Sequence, residues 1–358
     1  MEKKAENGES ITNAKAFCSS LLRDGTTIKQ VGRRPTDFAK LIAWSSVSWA
    51  DFVVEDIEKE AGDIARSLEF SRSLVANLLT GGRVSAYEDY DDEMGMLVPA
   101  VTVEGFNVTP NPLIILIKSN LVVTIHSGKV VRFERLRRYA ETMMRKIPVD
   151  ASQQDKVTHA LIRIIDENNG RNFDHLREIE SQGDKLSQSL IDISAPRELI
   201  GPEIYHMKHA LLSYLNALWA TIDVINALRY GDAELLTDDP RILGRVGALS
   251  ADVNNQISLA EHLSEVLASG LEVLQSIYNN QLQILNNKMA MVTAYLAVIG
   301  TAVLVPNTLA TILSNPAFNM GPQDAGWYTA VLVGSTVIAT AISFWWVQSK
   351  GWLPKSSH

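Results

Sequence analysis

Residues 289–323 read MAMVTAYLAVIGTAVLVPNTLATILSNPAFNMGPQ, and residues 325–349 read AGWYTAVLVGSTVIATAISFWWVQS; neither stretch holds a charged side chain, and only Asp324 parts them. A bilayer's hydrocarbon core, about 30 Å thick, is crossed by roughly 20 apolar residues in a helix. Each stretch supplies that length. Lipid offers the backbone no hydrogen-bond partners, so each run is expected to satisfy itself as a spanning helix. The expectation is a two-helix membrane hairpin: transmembrane helix 1 at 289–313, an outer loop at 314–325 and transmembrane helix 2 at 326–349, with everything else on one side.

Outward from the hairpin, Lys288 precedes it and Lys350 and Lys355 follow it in a short tail at 350–358. The positive-inside rule then places both termini in the cytoplasm of a multi-pass protein of the plasma or inner membrane. The opening MEKKAENGES lacks the apolar core of a secretory signal. The formal charge of −8 falls on the polar remainder, which argues against nucleic acid as a partner and suits divalent cations. Cys18 is the sole cysteine, which excludes a disulfide framework or a cysteine metal cluster. No nucleophile–base pattern, phosphate loop or dinucleotide fingerprint occurs, so an enzyme is not expected.

The remainder divides by pattern. Residues 1–24 are polar and expected to be flexible. Residues 25–150 mix strand and helix signals: strands at Leu41–Trp44, Met96–Val103, Pro112–Lys118 and Leu121–His126, and helices at Glu55–Leu79 and Arg132–Lys146. From 151 to 240 the strand signals vanish, and helical patterns at 152–193 and 203–231 predict a helical hairpin. From Arg241 to Val305 there is no proline. Apolar residues recur there at Val253, Ile257, Ala260, Leu263, Leu267, Leu271, Leu274, Tyr278, Leu282 and Leu285, in helical steps of three and four. One helix is expected to run as a stalk over 241–288 into the membrane, its apolar stripe covered by copies of itself or by the 152–231 helices. The fold class is an α+β membrane protein: a cytoplasmic α/β head, a long helical stalk and two C-terminal transmembrane helices per protomer.

This organisation resembles the CorA family of magnesium transporters over nearly the whole chain. Residues Arg83 to Tyr90 look like that family's basic–acidic entry to a strand, and Ile114 to His126 is similar to its strand pair ending in Val-Thr-x-His. Tyr278 and Asn287 match its tyrosine and stalk-end asparagine. Gly326-Trp327-Tyr328 and Lys350-Gly351-Trp352-Leu353 look like the opening and closing of its second membrane helix. The family's Gly-Met-Asn signature is missing. Asn315-Pro316-Ala317 stands in its place, and Asn319-Met320-Gly321 holds the same residue types in reverse. The resemblance implies a homopentamer with ten membrane helices, in contact with lipid, that moves Mg2+ or another divalent cation. The departure leaves ion identity and conduction open.

Magnesium releases its water reluctantly and prefers oxygen ligands, so a pore can select it by hydrogen-bonding the hydration shell with rings of polar groups. Asn287, Met291, Ala294, Val298, Thr301, Val305 and Thr308 fall on one helical face and are the expected pore lining, with Asn307 able to replace Thr308 on a small rotation. Helix–helix packing is the alternative use of such a face. Ser314, Asn315 and Asn319 are the expected outer ion-selecting ring; otherwise the asparagines merely form a turn. A regulatory Mg2+ held between subunits is placed by the resemblance at Asp252. Its partner acid falls near Val75–Asn77, where there is no carboxylate, so Asp89 or Glu88 would substitute. Three other groupings carry charged or metal-ligating side chains. Glu203, His206 and His209 could hold zinc. The basic run Arg132, Arg135, Arg137, Arg138, Arg145 and Lys146 could meet anionic lipid or pair with acidic helices. Asp232, Glu234, Asp238 and Asp239 could gather cations or form a solvated loop. Zinc, cobalt or nickel transport and a non-conducting scaffold or sensor are the competing functions.

Overall fold

The computed structural model describes residues 14–191, 197–230, 233–315 and 321–349. It divides into two compact units, Met1–Gly270 and Leu271–His358. In the first, seven strands form one sheet: β1 (Ala16–Leu22), β2 (Thr27–Gly32), β3 (Ser45–Val54), β4 (Ala86–Asp89), β5 (Met94–Glu104), β6 (Asn107–Lys118) and β7 (Leu121–Ser127). Their order is β2-β1-β3-β7-β6-β5-β4, and only the central β3–β7 pair is parallel. Strands covered on both faces read as continuous apolar runs, and β7, LVVTIHS, is buried over its first six residues. Gly105, at φ 60°, opens the two-residue turn that brings Glu104 opposite Asn107 in the β5–β6 hairpin. That is the left-handed region glycine enters freely.

Two short helices cover one face: α2 (Ile57–Ser67) and α3 (Arg72–Leu79), following α1 (Ala39–Trp44). Ala61, Ala65, Leu74 and Leu78 share a core there with Phe52, Leu116 and Val123. Helices α4 (Arg132–Arg145), α5 (Gln153–Asn169) and α7 (Arg197–Tyr230) pack against strands of the sheet, and α6 (Asn172–Ile191) packs on α7. The segments read as a head at 25–150 and a hairpin at 151–240 thus pack together within one unit.

Several expectations need correction. The N-terminus is not flexible throughout 1–24, because β1 is a buried strand with Phe17 and Cys18 fully covered; residues 1–13 lie outside the described ones. Leu41–Trp44 is helical, and the strand begins just after it at Ser45. Short apolar runs do not separate helix from strand by periodicity. The serine-rich start of β3 hid the strand, yet its hydroxyls are paired: Ser48 with Ser20 and with Ser45, each at 2.7 Å. Glu55–Leu79 is two helices, parted where Glu69 takes φ 64° and Ser71 caps α3 by accepting from Leu74 N–H. The 152–193 pattern also breaks, at Gly170–Arg171. Helix α7, in contrast, runs through Pro202.

Helix α8 spans Pro240–Leu313 without interruption, and α9 spans Ala325–Ser349 after a 3-10 turn at Pro322–Asp324. Asp239 starts α8: its carboxylate accepts from Arg241 N–H at 2.7 Å and its carbonyl from Leu243 N–H at 2.9 Å. Among the described residues, three helices are long and apolar enough to cross a membrane: Ile200–Tyr230, Pro240–Leu313 and Pro322–Ser349. Half of the first one's most apolar window is buried within the protein, against 6% for each of the others. The first is therefore a core helix of the sheet unit. The other two expose Val303, Leu304, Val337 and Trp345 at 63–66% and need a covering of lipid or neighbouring helices.

Candidate functional site

Helical geometry divides the apolar part of α8 into two sides. Met291, Ala294, Val298, Ala302, Pro306 and Leu309 recur at steps of three and four and are the shielded side within one protomer, Ala294 being only 2% exposed. Asn287, Thr301, Val305 and Thr308 remain exposed. The face expected to line a pore is thus split, with Met291, Ala294 and Val298 turned to the shielded side.

On the open side the hydroxyls are committed in one direction. Thr301 Oγ1 donates to Ala297 O, Thr308 Oγ1 to Leu304 O and Thr311 Oγ1 to Asn307 O, each at 2.8 Å. A hydroxyl carries one proton and two lone pairs. With its proton spent on the backbone, it offers outward only acceptor capacity, as the water protons of a hydrated cation require. Pro306 lacks an N–H, so the carbonyl of Ala302 loses its helical partner. A carbonyl so released in an apolar surround must be met by water or a polar neighbour.

Helix α8 closes with Ser314 Oγ donating to Ala310 O at 2.5 Å and Asn315 N–H donating to Ile312 O at 3.1 Å. Both residues stand exposed at its end. Asn319 lies outside the described residues, as do Lys350 and Asp232. Below the apolar part, the stripe on α8 is closed at one end and open at the other. Val253, Ile257, Ala260 and Leu263 are buried, whereas Leu282 and Leu285 are 57% and 54% exposed.

Asp252 is exposed on α8 beside the buried Val253, Asp89 is exposed at the end of β4, and Glu88 is half-buried. Partial burial raises the Asp89 carboxyl above its usual range; a hydrogen bond to Tyr87 opposes this, and the charges of Glu234 and Asp91 add to it. No group of three or more His, Cys, Asp or Glu converges as a metal set among the described residues. Within one protomer, then, Asp252, Glu88 and Asp89 form no such set, and neither do Glu203, His206 and His209. The two histidines pack instead around Tyr205, with His209 stacked on its ring at 6.2 Å. In the acidic junction Asp239 serves as the cap of α8.

The basic run on α4 is partly internal. Arg132 donates to Val101 O and Asn168 O, and Arg135 pairs with Glu167 at 3.3 Å. Arg137 Nε donates to Asp51 Oδ2 at 2.6 Å, and its Nη1 to Ala14 O at 2.5 Å. Asp51 is fully buried, 3.1 Å from His126 Nε2, and accepts from Thr124 Oγ1, which also accepts from Trp49 Nε1. Burial alone pushes the Asp51 carboxyl up, but Arg137, His126 and Thr124 outweigh it and hold it well below the usual carboxylate range. Sequence reading missed this network, although a signal was present. Arg137 falls on the same face of α4 as Phe133, Ala140 and Met144, and a cation on an apolar stripe needs a buried acid.

A sheet unit whose last helix continues into a long exposed apolar stretch, followed by a second apolar helix, is the architecture of a protein that enters a membrane. The CorA-like Mg2+ transporter protein family matches residues 44–350, and the chain belongs to that family. Among solved structures, the complete CorA magnesium transporter of Methanocaldococcus jannaschii aligns with TM-score 0.70 and 20% identity over 95% of this chain and 99% of that one. The full-length CmaX protein aligns with TM-score 0.62 and 14% identity over 96% and 99%. The ZntB cytoplasmic domain of Vibrio parahaemolyticus aligns with TM-score 0.51 and 14% identity over 65% and 88%. No curated protein matches the chain.

Proposed function

We propose that the protein is a homopentameric, channel-like transporter that brings Mg2+ into the cytoplasm, with both termini on the cytoplasmic side. The carrying observation is the open side of α8, where Asn287, Thr301 and Thr308 stand exposed and the threonine protons are already spent on the helix backbone. In a symmetric ring each becomes a girdle of acceptors around a hydrated ion. Val305 beside them supplies an apolar constriction, with Met291 and Val298 reaching the path if the helix turns. Ser314, Asn315 and Asn319 form the outer ring. Family membership supports the proposal of five copies, and the exposed Leu282 and Leu285 supply a face that copies would cover. A potential of 100 mV favours entry of a double charge by about 4.6 kcal/mol, so no energy-coupling site is required.

Regulation by cytosolic Mg2+ at Asp252, with Glu88 or Asp89 of a neighbouring copy, belongs to the same proposal. The second reading, zinc, cobalt or nickel transport, is favoured by the missing Gly-Met-Asn signature. It is opposed by the absence of imidazole, thiolate or carboxylate along residues 289–323. Flux into proteoliposomes decides among these. Mg2+ uptake that Zn2+ and Co2+ do not match supports the proposal, Zn2+ uptake without Mg2+ uptake replaces it, and no flux of any ion identifies a scaffold.

A further inference from the structure

A cleft of ≈ 570 Å³ opens in the sheet unit beside the β5–β6 hairpin, where the first turns of α4 and α6 meet it. Its polar wall carries three fixed cations, Lys129, Arg132 and Arg171, against a single acid, Glu104; His175 lines it as a neutral imidazole, its pKa lowered to about 4 by burial and by the charges of Arg132 and Arg171. In a chain with a net charge of −8, that local excess runs against the average. Lys129 and Arg171 are exposed, and neither is in an ion pair among the described residues. Arg132 is 3% exposed and fixed by its bonds to two carbonyls, with Glu167 the acid that acts on its charge. Burial lowers the Arg132 pKa to about 10, and neighbouring Arg171 adds to that shift. Lys129 and Arg171, which pair with no acid among the described residues, can therefore give an anion charge-assisted hydrogen bonds.

Two features narrow the anion. His175 is oriented by Tyr214, 3.3 Å from its Nδ1, while the Tyr214 hydroxyl donates to Asn172 Oδ1 at 3.0 Å. The imidazole is therefore held on a rigid support at the first turn of α6, where the helix dipole also favours negative charge. The rest of the wall is mixed: Val101, Val103 and Val131 supply apolar surface, and Thr102, Asn107 and Thr109 supply hydrogen-bonding groups beside it. Inorganic phosphate would leave that part unused, and the volume lies within the range of small-ligand sites.

We propose that this cleft binds a nucleoside polyphosphate, its phosphates on Lys129, Arg132 and Arg171 and its base against the valines. The site stands whichever cation α8 conducts, so the two proposals fail separately. Isothermal titration of the full chain in detergent with ATP, pyrophosphate or adenosine, in EDTA to remove divalent cations, tests it. Saturable ATP binding, several-fold tighter than pyrophosphate and with adenosine silent, is the expected result. Arg171→Ala and Lys129→Ala change exposed side chains and leave the core intact; each should weaken ATP about tenfold, and the pair should abolish saturation. Absence of ATP binding to the unaltered chain overturns the proposal, as does ATP affinity unchanged in the double variant. Pyrophosphate binding as tightly as ATP would overturn the base subsite.

Discussion

Arg137 and Asp51 form a pair whose members cannot be removed singly without cost. Both are buried, at 1% and 0% exposure, and stripping the cation leaves a carboxylate without its countercharge. Arg137→Met should therefore destabilise the sheet unit by about 3–5 kcal/mol, read as a shift in the denaturation midpoint of the whole chain. Adding Asp51→Asn to it should recover part of the loss, since the stranded charge is gone. The pH dependence has a defined sign. Asp51 has its folded pKa depressed, so its stabilising contribution is complete above the unfolded value near 4 and fades as pH falls through the folded one. In Arg137→Met burial dominates and the folded pKa rises. The variant's deficit should then shrink between pH 7 and pH 5, where the unaltered chain stays level; an equal deficit at both pH values would contradict the assignment.

Elements show which features the order of residues reveals. The stalk and both apolar helices were legible because their signals are long: 74 residues of α8 and 25 of α9 leave no competing period. The sheet was only half legible. Strands β5, β6 and β7 announce themselves with runs such as PLIILIK, whereas β1 and β3 carry Ser19, Ser20, Ser45, Ser46 and Ser48 in buried positions, and those serines read as loop until their partners are known. The residues expected to line a pore were legible as one helical face, and the fold adds that Met291, Ala294 and Val298 on it are shielded within one protomer while Asn287, Thr301, Val305 and Thr308 are exposed. The α3–β5 contact supplies a test at this scale. A Cβ on Gly95 would sit 2.8 Å from Leu78 Cδ1, 3.1 Å from Leu74 Cδ1 and 3.2 Å from Leu116 Cδ2. Gly95→Ala should overpack that layer and cost about 1–3 kcal/mol, measured by chemical denaturation, while leaving ion flux per folded molecule unchanged.

At the scale of the whole molecule, the proposed homopentamer would have the same threonines act in every copy at once. In that assembly a single substitution on α8 would be repeated around the axis, so its effect on conduction would be magnified beyond its effect on one chain. Thr308→Val keeps the shape and removes the oxygen; because that oxygen already donates inward to Leu304 O, the helix loses a hydrogen bond worth about 1 kcal/mol and should still fold. If the open side of α8 faces a hydrated path, an entire ring of acceptors is replaced by methyl groups, and Mg2+ flux in proteoliposomes should fall by at least tenfold. Thr329 donates likewise to Ala325 O but sits on α9, so Thr329→Val should leave flux within twofold. Particle mass in detergent gives the accompanying check, five times the 39.5 kDa chain for both variants. A Thr308→Val protein that assembles and conducts normally would show that this side of α8 meets a neighbouring helix rather than water, and the pore would have to be sought on the side that holds Met291 and Val298.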